Sequence, residues 1–229
     1  TETEKVEADG ENVTLQVKVT NTGSRYTGKE VVQAYYSAPR GKLEKPYQEL
    51  AAYAKTKELA PGESQCLKIV FPTPRMASYD EETASWILEK GEYYIRVGNS
   101  SRNTIVAAVL VLDGEAVTEK LSNRLTLDCE MKSLSAGEAL PYTYEGEQAQ
   151  KESAPRISID AGTVPCIEAV YQKENPRLAS SREEKLTMDD VRSGRASLDE
   201  LTVQLTVEEM AELCVGTARG GMGGNSVIG

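Results

Sequence analysis

The fold of this chain is decided by residues 13–37, which read VTLQVKVTNTGSRYTGKEVVQAYYS. In the first half, valine or leucine alternates with threonine, glutamine or lysine, and a period of two places these sets on opposite faces of a β-strand. Asn21 and Gly23 interrupt the alternation with residues that tolerate a positive φ, so they predict a turn. Residues 31–36 then resume as a second strand rich in β-branched and aromatic side chains. Because a strand pair is only marginally stable alone, further strands must cover its apolar face.

The sequence up to residue 113 contains candidates for those further strands. Residues 65–71 alternate again and end at prolines, which cannot donate to a sheet ladder. Residues 49–59 lack a clean alternation, so a strand is predicted there with a helix as the alternative. Short strands separated by turn signals about every 8–12 residues are typical of an antiparallel β-sandwich. We predict that its core includes Val17, Val19, Leu67, Ile69, Trp86, Tyr93 and Ile95, and that Glu92, Tyr94 and Arg96 point outward.

Beyond residue 113 the pattern changes. Residues 114–186 combine scattered apolar residues with several prolines and show no sustained periodicity, so an irregular connector is predicted. Capping-box patterns follow at Thr187, Ser197 and Thr206, each with an acidic residue three positions later. They predict short helices over residues 188–192, 198–204 and 207–214, with Gly194 and Gly216 at positions typical of helix ends.

The composition excludes several classes of function. The 229 residues carry a net charge of −10, whereas a phosphate-binding surface needs clustered lysine and arginine, so no nucleic-acid partner is expected. The chain has no histidine, which removes Ser–His and Cys–His nucleophilic schemes and the commonest metal ligand. No apolar run reaches about 18 residues, so no membrane span is predicted. The four cysteines are far apart without metal or redox spacing, and free thiols in a reducing compartment are favoured over two disulfides.

Motifs in a fixed order suggest a family for the first part of the chain. They comprise the turn at 21–23 followed by residues 28–33, then Pro46, Glu49, Leu50 and Tyr53, then residues 59–63, 79–81, Trp86, 91–93 and 97–102. Together they resemble the fibronectin type III-like module of family 3 glycoside hydrolases. The resemblance implies a mainly β fold for this part of the chain, an antiparallel fibronectin type III or immunoglobulin-like sandwich. The irregular connector and the short C-terminal helices predicted above follow it.

The C-terminal residues carry a second resemblance. Residues 198–216 combine regularly spaced leucines, paired glutamates and a final Cys214-Val215-Gly216, and they resemble the start of the (β/α)8 catalytic barrel of the same family. Most members place that barrel before the module, so the order here resembles the permuted members. The implied organisation is a module over 1–113, a connector over 114–186, and the start of a truncated barrel domain over 187–229.

The candidate functional residues are few. Glycoside hydrolysis needs two carboxyl groups about 5 to 9.5 Å apart, and Asp80, Glu81 and Glu82 lie near Trp86, the only tryptophan. A core role for Trp86 and a turn role for the acids are favoured over a sugar site. The basic residues Arg40, Lys42 and Lys45 predict either solvated loop charges or a contact with a partner domain or substrate.

Residues 220–224 are rich in glycine but lack the Gly-Lys-Ser/Thr of a phosphate loop, so a flexible loop is favoured. The family nucleophile is an aspartate in a Ser-Asp-Trp-like motif, and Ser85-Trp86 lacks that aspartate. No catalytic residue, substrate-binding residue, metal ligand or cofactor is therefore assigned.

The resemblance implies a function for the whole. The chain is expected to be a non-catalytic scaffold fragment of a β-glucosidase-like enzyme that hydrolyses terminal β-linked sugars, inactive alone because it lacks the nucleophile and the acid/base. Its expected partners are the catalytic domains of the parent chain and, through them, an oligosaccharide or glycoside. A bacterial cytoplasmic location is expected. The alternative is a free-standing binding or adhesion sandwich, since this architecture hosts many functions; the helices after residue 187 argue against it.

Overall fold

The computed structural model describes residues 1–124, 128–129, 131, 143–170 and 182–214. The chain divides into two compact units, Thr1–Val170 and Tyr171–Gly229. The fold is mainly β with a few short helices near the C-terminus, as the sequence predicts. The strands of the first unit are β1 Glu2–Ala8, β2 Asn12–Thr20, β3 Val31–Ser37, β4 Glu49–Lys55, β5 Ser64–Pro72, β6 Ser78–Asp80, β7 Ser85–Leu88, β8 Gly91–Ser100, β9 Asn103–Leu112, β10 Ala116–Lys120, β11 Arg156–Ile159 and β12 Ile167–Glu168. Its helices are α1 Glu147–Ser153 and 3-10 turns at Thr73–Met76 and Ala161–Thr163.

The strands of the described residues form three sheets. Their orders are β1-β2-β5, β11-β9-β8-β3-β4 and β12-β10-β7-β6. The two pairs that include β11 and β12 are parallel, and the other pairs are antiparallel. β4 is a strand, which excludes the alternative helix. In the turn before β5, Gly62 follows Pro61 and has a φ of 80°, a value that favours glycine at the second central position of a type II turn.

The core lies between the inward faces of these sheets. Alternate residues of β2 and β5 meet directly, with Val13 opposite Phe71 and Val17 opposite Leu67. Six of the seven predicted core residues are buried, namely Val17, Val19, Leu67, Ile69, Tyr93 and Ile95. The prediction for Trp86 is wrong, because 38% of its surface is exposed. It alternates with the buried residues Ser85 and Ile87, so its side chain belongs to the outer face of β7.

The outward prediction for Arg96 is also wrong, because its side chain is fully buried. Arg96 alternates with the core residues Ile95 and Val97, which places it on the other face of β8. That face is covered by α1, whose Glu147 reaches Arg96. The alternation along β8 therefore correctly places Arg96 on the face opposite the core. That face is covered by α1 and does not meet solvent at Arg96.

The segment predicted as an irregular connector contributes regular elements to the sandwich. β10 pairs with β7, β11 lies parallel to β9, and α1 packs on β9. Residues 125–127, 130, 132–142 and 171–181 of the segment lie outside the described residues. The domain boundaries at 113 and 186 remain predictions.

The described residues of the second unit form three short helices, α2 Met188–Arg192, α3 Leu198–Val203 and α4 Val207–Cys214. The capping boxes that predicted them are present: the Ser197 amide donates to Glu200 Oε2 at 2.8 Å, and the Glu200 amide donates to Ser197 Oγ at 3.2 Å. Gly194 follows α2 with a φ of 75°, as its predicted role at a helix end requires. A small core joins Leu186, Ala196 and Leu201. The predicted helix end at Gly216 lies outside the described residues.

Candidate functional site

The loop between β3 and β4, residues 38–48, is held by buried charges. The Lys45 ammonium forms an ion pair with Glu89, and the exposed fractions of the two side chains are 3% and 9%. The Lys42 amide also donates to Glu89 Oε1 at 2.7 Å. Burial opposes ionisation of Glu89, but the hydrogen bonds from Lys45 and from the amides of Lys42 and Leu43 outweigh it and lower the pKa of the carboxyl. Glu89 is therefore ionised at neutral pH and fixes the loop from inside.

Gly41 permits this close approach. A Cβ atom added there would lie 2.1 Å from Glu89 Oε1, closer than any non-bonded contact allows. The absence of a side chain lets the loop backbone pass directly over the carboxylate.

Asp80 anchors the same loop from β6. Lys42 Nζ lies 2.9 Å from Asp80 Oδ2, and the Asp80 side chain is 4% exposed. Asp80 also accepts from Thr83 Oγ1 at 3.0 Å and from the Glu82 amide at 3.1 Å. The Lys42 hydrogen bond is the largest influence on its pKa and lowers it, and the Thr83 and Glu82 hydrogen bonds act in the same direction against the effect of burial. A carboxyl held ionised in this way is unsuited to donate a proton at neutral pH.

The three basic residues predicted as a cluster, Arg40, Lys42 and Lys45, have different environments in the structure. Lys42 pairs with Asp80 of β6 and Lys45 with Glu89 of the turn between β7 and β8, and the prediction of a solvated charge is wrong for Lys45. Arg40 is exposed. No local pattern predicts these pairs, because the two acidic partners lie 38 and 44 residues further along the chain.

A second buried network lies on the outer face of the five-stranded sheet. Arg96 Nη2 lies 2.5 Å from Glu147 Oε1 of α1, and Arg96 Nε donates to Ser37 Oγ at 2.8 Å. The Tyr47 ring lies under the guanidinium at 4.9 Å, and the Tyr47 hydroxyl donates to Glu147 Oε1 at 2.5 Å. Burial opposes ionisation of Glu147, and hydrogen bonds from Tyr47, Arg96 and Lys151 lower its pKa nonetheless. This network joins α1 to the loop and the sheet.

The segment from Tyr79 to Trp86 contains the residues singled out as a possible sugar site. The Tyr79 and Trp86 rings lie 5.5 Å apart at an interplanar angle of 55°, within the range of favourable aromatic pairs. The Tyr79 hydroxyl donates to Asn123 Oδ1 at 2.7 Å, and Asn123 Nδ2 donates to the Glu81 carbonyl at 2.8 Å. The structure therefore places Trp86 beside Tyr79 on the surface and turns Asp80 inward to Lys42.

Other predicted features have plain outcomes. All four cysteines are free and exposed, as predicted for thiols that form no disulfide. Within the described ranges, no three histidine, cysteine, aspartate or glutamate side chains are arranged to hold a metal ion. No helix in the described part of the chain is long and apolar enough to cross a membrane. The glycine-rich residues 220–224 lie outside the described residues.

Comparison with known proteins first gives the class of domain. Residues 30–101 match the fibronectin type III-like domain family, in agreement with the sandwich and with the motifs between residues 21 and 102.

The relatives then identify the larger protein that the chain resembles. The chain is 44% identical over 139 residues to β-glucosidase A of Butyrivibrio fibrisolvens, covering 57% of this chain and 17% of that protein. It is 32% identical over 201 residues to a β-glucosidase of Ruminococcus albus, covering 85% of this chain and 20% of that protein. A solved structure of a β-glucosidase from Paenibacillus barengoltzii matches 90% of this chain and 23% of its own, with 29% identity and a TM-score of 0.54. The chain is therefore similar to a part of family 3 β-glucosidases, and it spans about a fifth of the length of the first two relatives.

Proposed function

We propose that this chain is a non-catalytic scaffold within a family 3 glycoside hydrolase of the β-glucosidase type, acting on terminal β-linked sugars. The supporting observation is the match to β-glucosidases of Butyrivibrio fibrisolvens and Ruminococcus albus, of which it spans 17% and 20%. The Paenibacillus barengoltzii structure supports a continuous counterpart, because its match covers 90% of this chain.

The chemistry of the described acids supports the non-catalytic role. Retaining and inverting glycosidases both need two carboxyl groups across one cleft, one of them protonated and the other free to attack or to activate water. Asp80 and Glu89 are each committed to a lysine, and Glu147 to Arg96. The pKa of each of these three carboxyls is lowered, which is the opposite of what a proton donor requires.

The buried charges support a scaffold instead. The 38–48 loop has no regular secondary structure, and yet ion pairs to Asp80 and Glu89 and the Tyr47–Glu147 hydrogen bond fix its course. A surface of fixed shape is what a module needs in order to hold a neighbouring domain in place. The proposed partners are therefore the catalytic domains of the same enzyme and, through them, its glycoside substrate, without nucleic acid, metal or cofactor.

The proposed organisation keeps the boundaries given by the sequence. Residues 1–113 are the fibronectin type III-like module, 114–186 the connector, and 187–229 the start of the barrel domain of a permuted enzyme. The short capped helices α2, α3 and α4 support that last assignment against a tandem adhesion array, in which a further β-module would follow. The free, exposed cysteines support a bacterial cytoplasmic location.

An activity comparison tests this function. The purified 229-residue chain and the protein made from the complete gene are incubated with an aryl β-glucoside under identical conditions. We expect hydrolysis by the complete protein and none by the chain alone. Activity that copurifies with the chain and disappears in Asp80→Asn would refute the non-catalytic role, and a complete protein without glycosidase activity would refute the assignment to the enzyme.

A further inference from the structure

The outer face of the four-stranded sheet presents a row of side chains, one from each strand. Tyr79 of β6 is opposite Trp86 of β7, Trp86 is opposite Glu119 of β10, and Glu119 is opposite Ile167 of β12. Directly opposite residues of neighbouring strands project to the same face. Trp86 is 38% exposed and Ile167 is 65% exposed. We call this row of four residues the Trp86 face.

The aromatic half of the Trp86 face is held in position before any ligand arrives. The Tyr79 ring is fixed through its hydrogen bond to Asn123, and the Trp86 ring lies against it. The turn that leads into β7 contains Ala84 with a φ of 51°, an uncommon conformation for a residue other than glycine. The Ala84 carbonyl accepts from the Leu121 amide at 2.9 Å, which ties this turn to the segment after β10. Side chains fixed in this way lose little freedom when they bind a ligand.

We propose that the Trp86 face binds β-linked glucose units of an oligosaccharide. Every hydroxyl of a β-linked glucose ring is equatorial, so both faces of the ring are flat and covered by C–H groups. An exposed indole matches such a face, because it offers a large, flat apolar surface. Neighbouring strands lie about 4.8 Å apart, so the row has room for a disaccharide laid across the strands. The choice of a glucose ligand rests on the function proposed above.

The carboxylate of Glu119 favours a sugar over another protein domain as the ligand of this face. This carboxylate is adjacent to Trp86 in the row and makes no ion pair with another described residue. A protein domain packed over this face would have to supply a lysine or arginine for that charge, because burial of a carboxylate without a partner is costly. Sugar hydroxyls instead donate hydrogen bonds to a carboxylate while the ring covers the indole. Glu81 and Glu82 near the row add negative charge, so an anionic ligand is disfavoured.

The chain offers a direct probe, since Trp86 is its only tryptophan. Tryptophan emission of the 229-residue chain is followed during titration with cellotetraose, which is β-linked, and with maltotetraose, which has the same units in α-linkage. We expect a saturable change of emission with cellotetraose at a dissociation constant of about 1 mM or below. Maltotetraose, whose chain is curved, is expected to bind at least about tenfold more weakly.

Matched variants assign the binding to this face. Glu119→Gln keeps the shape of the side chain and removes its charge, so the affinity for cellotetraose is expected to fall about tenfold. Tyr53→Ala removes a tyrosine that is 69% exposed on β4 of another sheet, and it should leave the titration unchanged. Trp86→Phe is followed by saturation-transfer NMR on the sugar, and circular dichroism confirms that it folds. We expect Trp86→Phe to bind cellotetraose more weakly than the original chain does. The double variant Trp86→Phe with Glu119→Gln should bind more weakly still.

Three results would overturn the proposal: no saturable response to cellotetraose, equal responses to both sugars, or an unchanged affinity in Glu119→Gln. The complete protein provides a fourth test: if the part of its emission that is lost in Trp86→Phe is not quenched by acrylamide, Trp86 is covered by another domain there and the proposal is overturned. Failure of this inference is distinct from failure of the proposed function. The latter appears as a lack of glucoside hydrolysis by the complete protein, which the binding titration does not measure.

Discussion

Replacing Glu147 by alanine tests whether the buried ion pair with Arg96 holds α1 on the sandwich. Arg96 is fully buried and Glu147 is 2% exposed. Removal of one partner from a buried pair leaves an uncompensated charge and costs about 3–5 kcal/mol. The Tyr47 hydroxyl loses its acceptor as well, which adds about 1 kcal/mol. We therefore expect the free energy of unfolding of the first unit to fall by about 4 kcal/mol or more.

Urea unfolding followed by Trp86 emission measures this loss, because the only tryptophan lies in the first unit. With a slope of about 2 kcal/mol per molar urea, the midpoint should fall by about 2 M. Glu92→Ala is the matched control: it removes the Glu92–Arg156 pair, whose side chains are 38% and 50% exposed. An exposed pair is worth about 0–1 kcal/mol, so this midpoint should move little.

A double variant separates the ion pair from the packing around it. Arg96→Leu combined with Glu147→Leu removes both charges and fills the space with apolar atoms, so it should cost less than Glu147→Ala alone. The reasoning is refuted if Glu147→Ala shifts the midpoint no more than Glu92→Ala does. It is equally refuted if the double variant loses as much stability as Arg96→Leu and Glu147→Leu lose in sum. Additive losses would mean that the two residues contribute independently.

Further predictions concern the loop, pH and Trp86. Gly41→Ala should lower the free energy of unfolding by about 1–3 kcal/mol, because its Cβ displaces the Glu89 carboxylate from Lys45. Gly28→Ala is the control: a Cβ there meets nothing within 4 Å, so the same urea titration should show almost no change. The pKa of Glu89 is lowered from an ordinary value of 4.5, so the stability it contributes is complete above about pH 4.5 and is lost as the pH falls through the lower folded-state pKa. Urea midpoints between pH 7 and pH 3 should therefore fall less steeply in Glu89→Gln, and identical slopes would contradict the assignment. Trp86→Ala should lower the free energy of unfolding by only about 1–2 kcal/mol, since the side chain is partly exposed. Urea unfolding of this variant is followed by circular dichroism, and a loss of about 3–5 kcal/mol, as for a buried aromatic residue, would contradict its surface position.

Local periodicity predicted the sandwich because each face of a strand is encoded within a few residues. The alternation of residues 13–19 correctly gives the buried set of β2, and the capping boxes at Ser197 and Thr206 locate the starts of α3 and α4. Both signals depend only on neighbours in sequence, so they survive without any knowledge of tertiary contacts.

The errors arose where a long-range contact decides the environment. Arg96 is buried by a helix 51 residues away, and Lys45 by a glutamate 44 residues away. Neither partner can be identified from spacing, because the chain between them adopts several strands and loops. Trp86 shows the opposite error: the general tendency of tryptophan to be buried was preferred over its alternation with Ser85 and Ile87, which places it on the outer face.

The positions of the buried charges explain what they contribute to this module. A desolvated ion pair adds little net stability over apolar residues of the same shape, since the cost of removing two ions from water offsets their attraction. Lys42–Asp80, Lys45–Glu89 and Tyr47–Glu147 hold the 38–48 loop to β6, to the turn between β7 and β8, and to α1, respectively. Any other course of the loop would leave Glu89 and Lys45 buried without partners, or expose them and open the sandwich. The pairs therefore select one conformation of a loop that has no secondary structure of its own, a property that the proposed scaffold role requires.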